Sequence, residues 1–435
     1  MNLSDLKKVL SEKGCSKLYF KSLAPNDNSK NQVYLAGSFD ILNILPISEI
    51  ETVEAGDWKK ERFKAKIKFS WINDAGENYL APNSQLILYP KYPEVRFSGF
   101  LKGCHEPPSH LMAHRLENRL FIFSVGESGE VFGHVCSKSS EIRKEFDKES
   151  YGWEEHGVFK TLDLQHSINN RDILLKHLKR IHELGWINSK RLNNKGAILP
   201  CNSPNCGGYT LEAELGIQPN GYSEPDFLGW EIKQFGVKKF SHINSAVITL
   251  MTPEPTSGIY KEKGVEYFIK KYGYLDKCGR PDRMNFGGIH KVDQQHSSTN
   301  LTMKLIGFDF ESGKIRNSGG SIALVDSKGN HAAAWSFASV LMHWNKKHNK
   351  ACYIPSLLDV QGERKYKYGN EVLLGQGADF EFFLSQMAQG NIYYDPGIKL
   401  ENMSSNPKIK RRSQFRVKSK SLTKLYKKNE LYDLT

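Results

Sequence analysis

The 435 residues include no apolar run approaching the roughly 20 needed to cross a bilayer. The opening MNLSDLKKVLSEKG reads as a polar helix with Ser4 as candidate N-cap, not as a secretory leader. No membrane partner is expected, and the chain reads as cytoplasmic. There is no Gly-rich Walker loop, no GxSxG elbow and no dinucleotide fingerprint, so no nucleotide cofactor is expected. Cysteine is sparse: seven residues, at 15, 104, 136, 201, 206, 278 and 352, are scattered and odd in number, as in a protein of reduced thiols. Cys201 and Cys206 in CNSPNC are the one close pair; no second pair completes a zinc site, and the segment reads as a loop. His156, His166 and His290 stand alone and read as structural. Acidic residues are in deficit, 48 Asp and Glu against 61 Lys and Arg, for a formal charge of +13. A polyanion is the simplest partner for such an excess, because neutralising phosphates releases counterions.

Two parts follow one another along the chain. In residues 1–150, short β-rich runs (KLYFKSL, QVYLAG, RFKAKIKFSWI, SQLILYP, VRFSGFL, RLFIFSV, EVFGHV) alternate with turn clusters, which predicts a compact barrel or open sheet. The charged stretch 137–157 is either a helix on this domain or a linker, and residues 151–167 are assigned to the linker. An amphipathic helix over Arg171–Leu184 then opens a second domain, residues 168–435.

That second domain carries the chain's chemistry in PDFLGWEIK, residues 225–233. If Trp230 to Gln234 is a strand, Glu231 and Lys233 share one face while Trp230 and Ile232 point to the other. Asp226, in the preceding turn, can bring a second carboxylate to the same point. Two hard oxygen ligands suit Mg²⁺, with water and phosphate oxygens completing its shell, and a neighbouring Lys can orient the nucleophile. The plain alternative is a surface hairpin with solvated charges. Upstream, GGYTLEAELGI reads as a loop with Gly207 and Gly208 feeding a short helix whose Glu212 can face the same site.

Together these segments resemble the PD-(D/E)XK nucleases, in the branch of the MvaI/BcnI restriction endonucleases and the MutH nicking enzyme. Further stretches carry the resemblance: LLKHLKRIHELGWINSKRLNNKG with Lys190 and Arg191, ITLMTPEP as the next core strand, Trp335-Ser336-Phe337, KKHNKACYIPSLLDVQGERKYKYGNEVLL, and RRSQFRVKSKSLTKLY. The resemblance implies an α+β or α/β catalytic domain with a mixed central sheet flanked by helices, Mg²⁺ as cofactor, double-stranded DNA as substrate, and Asp226, Glu231, Lys233 and Glu212 as catalytic residues. It also implies a monomer with one active site that cuts a duplex by two successive nicks. A MutH-like repair nickase and a non-catalytic DNA-binding protein are the alternatives.

Ten of the 21 residues from Lys408 to Lys428 are Lys or Arg. A solvated tail is the plain reading, but Phe415 and Val417 flank Arg416 with strand alternation and give it an apolar backing. Arginine suits bidentate contact with guanine, so Arg416, then Arg411 and Arg412, are candidate DNA contacts. In the first domain, KLYFKSLAPNDNSKNQVYL, with Lys21, Leu23, Asn26 and Asp27, is similar to the start of the B3-type effector domain of EcoRII, which implies a β-rich pseudobarrel reading a second DNA site. Tyr92, Pro93, Arg96, Phe97, His105 and Pro107 mix apolar rings with cations, as a reader of modified DNA, such as a phosphorothioate backbone, would; Tyr92, Arg96 and His105 are its candidate contacts. Alternatively, Pro93 and Phe97 pack the barrel and Arg96 caps a turn.

Overall fold

Leu3, Leu6 and Leu10 recur at helical spacing, and all three are buried on the first helix, Leu3–Glu12. Its cap is Asn2 and not Ser4: Asn2 and Asp5 satisfy each other's backbone N–H groups in a capping box. The computed structural model describes residues 1–25, 32–37, 39–53, 62–89, 94–114, 116–148, 153–164, 170–218 and 225–435. Asn26, Asp27, Tyr92 and Pro93 lie outside the described residues.

The chain divides into two units, Met1–Asn169 and Asn170–Thr435. In the first, the alternating runs become strands of two sheets. The seven-stranded sheet runs in the order 154–156, 159–163, 17–23, 119–125, 131–136, 69–72, 78–80, with one parallel pair, 131–133 with 69–71. The five-stranded sheet runs 33–36, 94–98, 85–89, 62–66, 50–53, antiparallel throughout. Neither pairing path closes on itself among the described residues. Leu18, Phe20, Leu120 and Ile122 pack with the first helix and with Ile142 and Phe146 of helix Glu141–Asp147.

The expected linker is corrected here. Residues 154–156 and 159–163 are strands, and the second pairs with Lys17–Leu23. Phe159 stands edge-on to Tyr19 and Phe123, at centroid distances of 6.2 and 5.2 Å. A charged surface stretch disguises these strands, whose partner is more than a hundred residues away.

In the second unit, helix Asn170–Glu183 buries Leu174, Leu175, Leu178 and Ile181 against a six-stranded sheet. Its longest strand, Lys350–Asp359, pairs in parallel with Glu231–Gly236 along residues 351–356 and antiparallel with Lys365–Tyr368 along residues 356–359. Glu371–Ala378 continues the antiparallel pairing of Lys365–Tyr368 along residues 350–353, and pairs in turn with Tyr426–Asp433. Trp186–Asn188 lies beyond Lys365–Tyr368. The sheet is mixed, as expected. ITLMTPEP departs from expectation: strand Val247–Met251 joins a separate three-stranded sheet with Phe415–Lys418 and Ile392–Tyr394.

Because Phe159 covers two core rings, a fragment of residues 1–169 should melt cooperatively whereas 1–150 should not. Phe159→Ala in the longer fragment should cost about 3–5 kcal/mol. Equal Tm values for the two fragments, by circular dichroism, would remove Phe159–Asp163 from the first unit's core.

Candidate active site

A tight turn places the first carboxylate. Phe227 and Trp230 exchange backbone hydrogen bonds (3.0 and 2.8 Å) around Leu228 and Gly229, both at positive φ (49° and 80°), as a two-residue turn of the I′ kind demands. Glycine adopts this conformation freely; leucine does so at a cost of about 1–3 kcal/mol. The reversal lets Asp226 Oδ2 accept the Ile232 N–H at 3.0 Å, beside Glu231.

Alternation then sorts the strand as the sequence predicts. Trp230 and Ile232 enter the apolar core, and Glu231 and Lys233 take the opposite face. Glu231 is 1 % exposed. Its Oε1 accepts from Lys233 Nζ at 2.5 Å and lies 3.8 Å from Lys347 Nζ, while Oε2 is buried with no hydrogen-bond partner among the described residues.

Glu212 arrives on helix Cys206–Glu214. Gly207 and Gly208 belong to this helix's first turn and not to a feeding loop. A Cβ on Gly207 would stand 2.8 Å from the Gln234 side chain, so glycine permits the helix to approach the Glu231 strand, and Tyr368 Oη donates to Gly207 O at 2.7 Å. Just before it, Cys201 and Cys206 form a disulfide (Cα–Cα 5.7 Å), correcting the expectation of reduced thiols; the loop they bracket folds back and brings them together.

Negative charge is in surplus at this point. Burial, then the charge of Glu231, pushes Asp226 up to about 6. Burial, then Asp226, raises Glu212 as well. A divalent cation would relieve both, and the unpartnered Glu231 Oε2 is an oxygen donor without a role otherwise. Among the described residues no group of three or more His, Cys, Asp or Glu side chains is gathered closely enough to hold a metal ion; the candidate donors are the two carboxylates Asp226 and Glu231. Mg²⁺ commonly takes one or two carboxylates, with water and phosphate oxygens for the rest. These residues fit it.

Lys347 escaped the sequence reading because it lies on a separate helix, Phe337–His348, capped by Ser336. The next residue, His348, is held neutral by burial and by the nearby charge of Lys233, its pKa lowered to about 3. Its Nε2 faces Leu250 O at 3.0 Å and its Nδ1 faces Tyr426 Oη at 3.4 Å, and Tyr426 Oη stands 2.7 Å from Tyr353 Oη. This buried chain forms the wall behind Glu231.

The basic candidates are dispersed. Lys190 pairs with Glu214 at 2.5 Å, while Arg191, Arg411 and Arg412 are exposed and have no ion-pair partner among the described residues. Arg416 has the apolar flanks expected, but its Nη1 is held by Asp395 at 2.5 Å and its Nε is buried. The guanidinium would have to leave Asp395 to present both prongs to a base. In the first unit, Arg96 pairs with Glu94 at 3.0 Å, and His105 is exposed and stacked on Tyr79.

A profile of the MvaI/BcnI restriction endonuclease family matches residues 175–426, more than half of the chain. The chain belongs to this family. Membership implies a DNA-hydrolysing enzyme, and the matched segment contains Glu212, Asp226, Glu231, Lys233 and Lys347. Among solved structures, MvaI bound to cognate DNA is similar at 19% identity, covering 61% of this chain and 99% of that one, with a TM-score of 0.46. MvaI without DNA gives 17% identity, 62% and 99% coverage, and a TM-score of 0.35. No curated protein matches the chain.

The raised Asp226 pKa has a stability consequence. Ionisation is disfavoured in the folded state, so the contribution of this carboxyl is fully present below its ordinary value of 3.8 and is lost as pH rises through about 6. In metal-free protein, Asp226→Asn should therefore stabilise by about 1–2 kcal/mol at pH 8 and leave Tm unchanged at pH 3.5. Mg²⁺ should raise the wild-type Tm at pH 8 and act weakly on the variant. An equal gain at both pH values would place the effect outside ionisation.

Proposed function

We propose that this chain is a Mg²⁺-dependent restriction endonuclease that hydrolyses phosphodiester bonds of duplex DNA. The first unit, in this reading, recognises a second DNA site or a DNA modification. The observation that carries the catalytic reading is the convergence of Asp226, Glu231 and Lys233, with one Glu231 oxygen buried and unpartnered.

The residues divide the work. Asp226 and Glu231 would hold Mg²⁺, which supplies charge neutralisation for the phosphoryl group and lowers the pKa of a bound water. Lys233 Nζ, fixed by Glu231 Oε1, orients the attacking water and offsets charge gathering on the phosphate oxygens. Lys347 adds a second positive charge from the Phe337–His348 helix. Glu212 acts on the ligands from outside through its charge. Trp230 and Ile232, packed in the core, lock the strand that carries Glu231 and Lys233. A single such site cuts both strands by two successive nicks, with the protein acting as a monomer. Exposed Arg191, Arg411 and Arg412 meet backbone phosphates, and Arg416 contributes selectivity once DNA competes with Asp395 for its guanidinium.

Asp226→Ala, Glu231→Ala and Lys233→Ala should each lower single-turnover cleavage by at least a thousandfold while leaving duplex affinity in EDTA within a few-fold of wild type. Lys347→Ala and Glu212→Gln should lose less, tens-fold. Near-normal cleavage by Glu231→Ala, or cleavage in EDTA, would remove this site from the reaction.

The basic residues separate by salt dependence. Arg411→Ala should weaken cognate and random duplexes alike and reduce the slope of log K against log salt by about 1. Arg416→Ala should cost about 1–3 kcal/mol on the cognate duplex alone. Equal losses on both duplexes would make Arg416 a structural partner of Asp395.

A further inference from the structure

The first unit holds a cavity of about 320 Å³ whose lining includes Lys21, Gln32, Tyr34, Arg96, Phe100 and Arg119. Three of these are cations, and their counter-charge is incomplete. Arg96 has Glu94. Arg119, 2 % exposed, donates to the backbone oxygens of Leu111 (2.6 Å), His114 (3.0 Å) and Ala24 (3.0 Å) and has no carboxylate partner among the described residues. Lys21 stands 5.6 Å from the centroid of the Tyr34 ring and has no carboxylate partner there either. Burial lowers the pKa of both Lys21 and Arg119. Among the described residues three cations thus face one carboxylate, and the three carbonyls keep the Arg119 guanidinium from swinging out to water. Keeping charge in such a place without a counter-ion is costly, so the cavity calls for an anion.

Size and wall chemistry narrow which anion. The volume lies at the lower end of the small-molecule range, about 300–1,000 Å³, and a phosphate alone would leave the Phe100 side of the cavity unfilled. Tyr34, 40 % exposed, offers a ring for stacking. Gln32 turns its Oε1 to Arg96 Nη1 at 3.4 Å, which leaves its amide NH₂ to donate. Phosphate at one end and a flat, hydrogen-bonding ring at the other describe a nucleotide. We propose that the cavity takes one nucleotide turned out of a DNA duplex, with its phosphate on Lys21 and Arg119 and its base on Tyr34 beside Gln32. This deepens, and rests on, the reading of the first unit as the DNA-recognising part. Extrusion costs a few kcal/mol and is cheapest at a mismatched or altered pair, which gives such a pocket its selectivity.

The test titrates the full chain in EDTA with the four deoxynucleoside 5′-monophosphates and with 5-methyl-dCMP, using inorganic phosphate and thymidine as references. At least one monophosphate should bind tenfold or more tightly than either reference. Lys21→Met and Tyr34→Ala should each weaken that binding at least tenfold with unchanged melting curves. In a second arm, a duplex bound by the full chain and carrying 2-aminopurine at successive positions should brighten at one position, and the same variants should abolish the rise. The idea is overturned if no monophosphate exceeds phosphate, if both folded variants bind as wild type does, or if monophosphates bind while no position of a bound duplex brightens, which would indicate a site for free nucleotides. Cleavage measured in parallel separates the two readings: nucleotide binding without cleavage counts against the endonuclease and leaves the cavity standing, whereas cleavage without nucleotide binding sinks the cavity alone.

Discussion

The catalytic unit depends on one buried carboxylate. Glu231 is almost wholly out of water; one oxygen is engaged by Lys233 and approached by Lys347, and the other has no partner. A buried pair of this kind is weak evidence for stability, since desolvation consumes most of the Coulombic gain, yet removing one partner costs about 3–5 kcal/mol. The surroundings therefore have to fix it in place. The strand is pinned in parallel register against Lys350–Asp359, Trp230 and Ile232 anchor its other face, and the helix carrying Lys347 is tied through His348 to Leu250 and through Tyr426 to Tyr353. Three separate sheet and helix elements thus set the position of one oxygen atom.

Departures from local rules gather at the same place. Leu228 adopts a positive φ, Glu231 Oε2 is orphaned, and Asp226 and Glu212 are both pushed toward their protonated forms. Each lowers the stability of the protein, and the three carboxyl departures would be relieved together by a cation. Where a sequence breaks several rules within a few residues while obeying them elsewhere, the conflict marks a site whose geometry is set by something other than folding.

That locality explains what the sequence disclosed. Asp226, Glu231 and Lys233 lie on one turn and one strand, so the period of two and a turn-forming Gly229 suffice to bring them together. The β-rich runs of the first unit were legible for the same reason. Lys347 was not, because it reaches Glu231 only through the pairing of strands far apart in the chain. Likewise Phe159–Asp163 is recognisable as a strand only once Lys17–Leu23 is beside it. The Cys201–Cys206 disulfide was hidden because counting cysteines tests for a framework and says nothing of two residues folded back on each other.

The positive charge of the chain is of two kinds. Lys190, Arg96 and Arg416 are clamped by Glu214, Glu94 and Asp395, whereas Arg191, Arg411 and Arg412 have no such partner among the described residues. An unclamped surface arginine contributes attraction that fades with salt and is indifferent to sequence. A clamped one pays less entropy on binding, but it must surrender its carboxylate, so it engages only where the exchange is favourable. Arg416 sits between these limits: its backbone is held on both sides, by Thr249 and Tyr393, and its guanidinium can be released only when a ligand outcompetes Asp395. Such an exchange discriminates between ligands more than it attracts them. The formal +13 is therefore a poor measure of recognition, because unclamped cations suit approach and clamped ones suit choice.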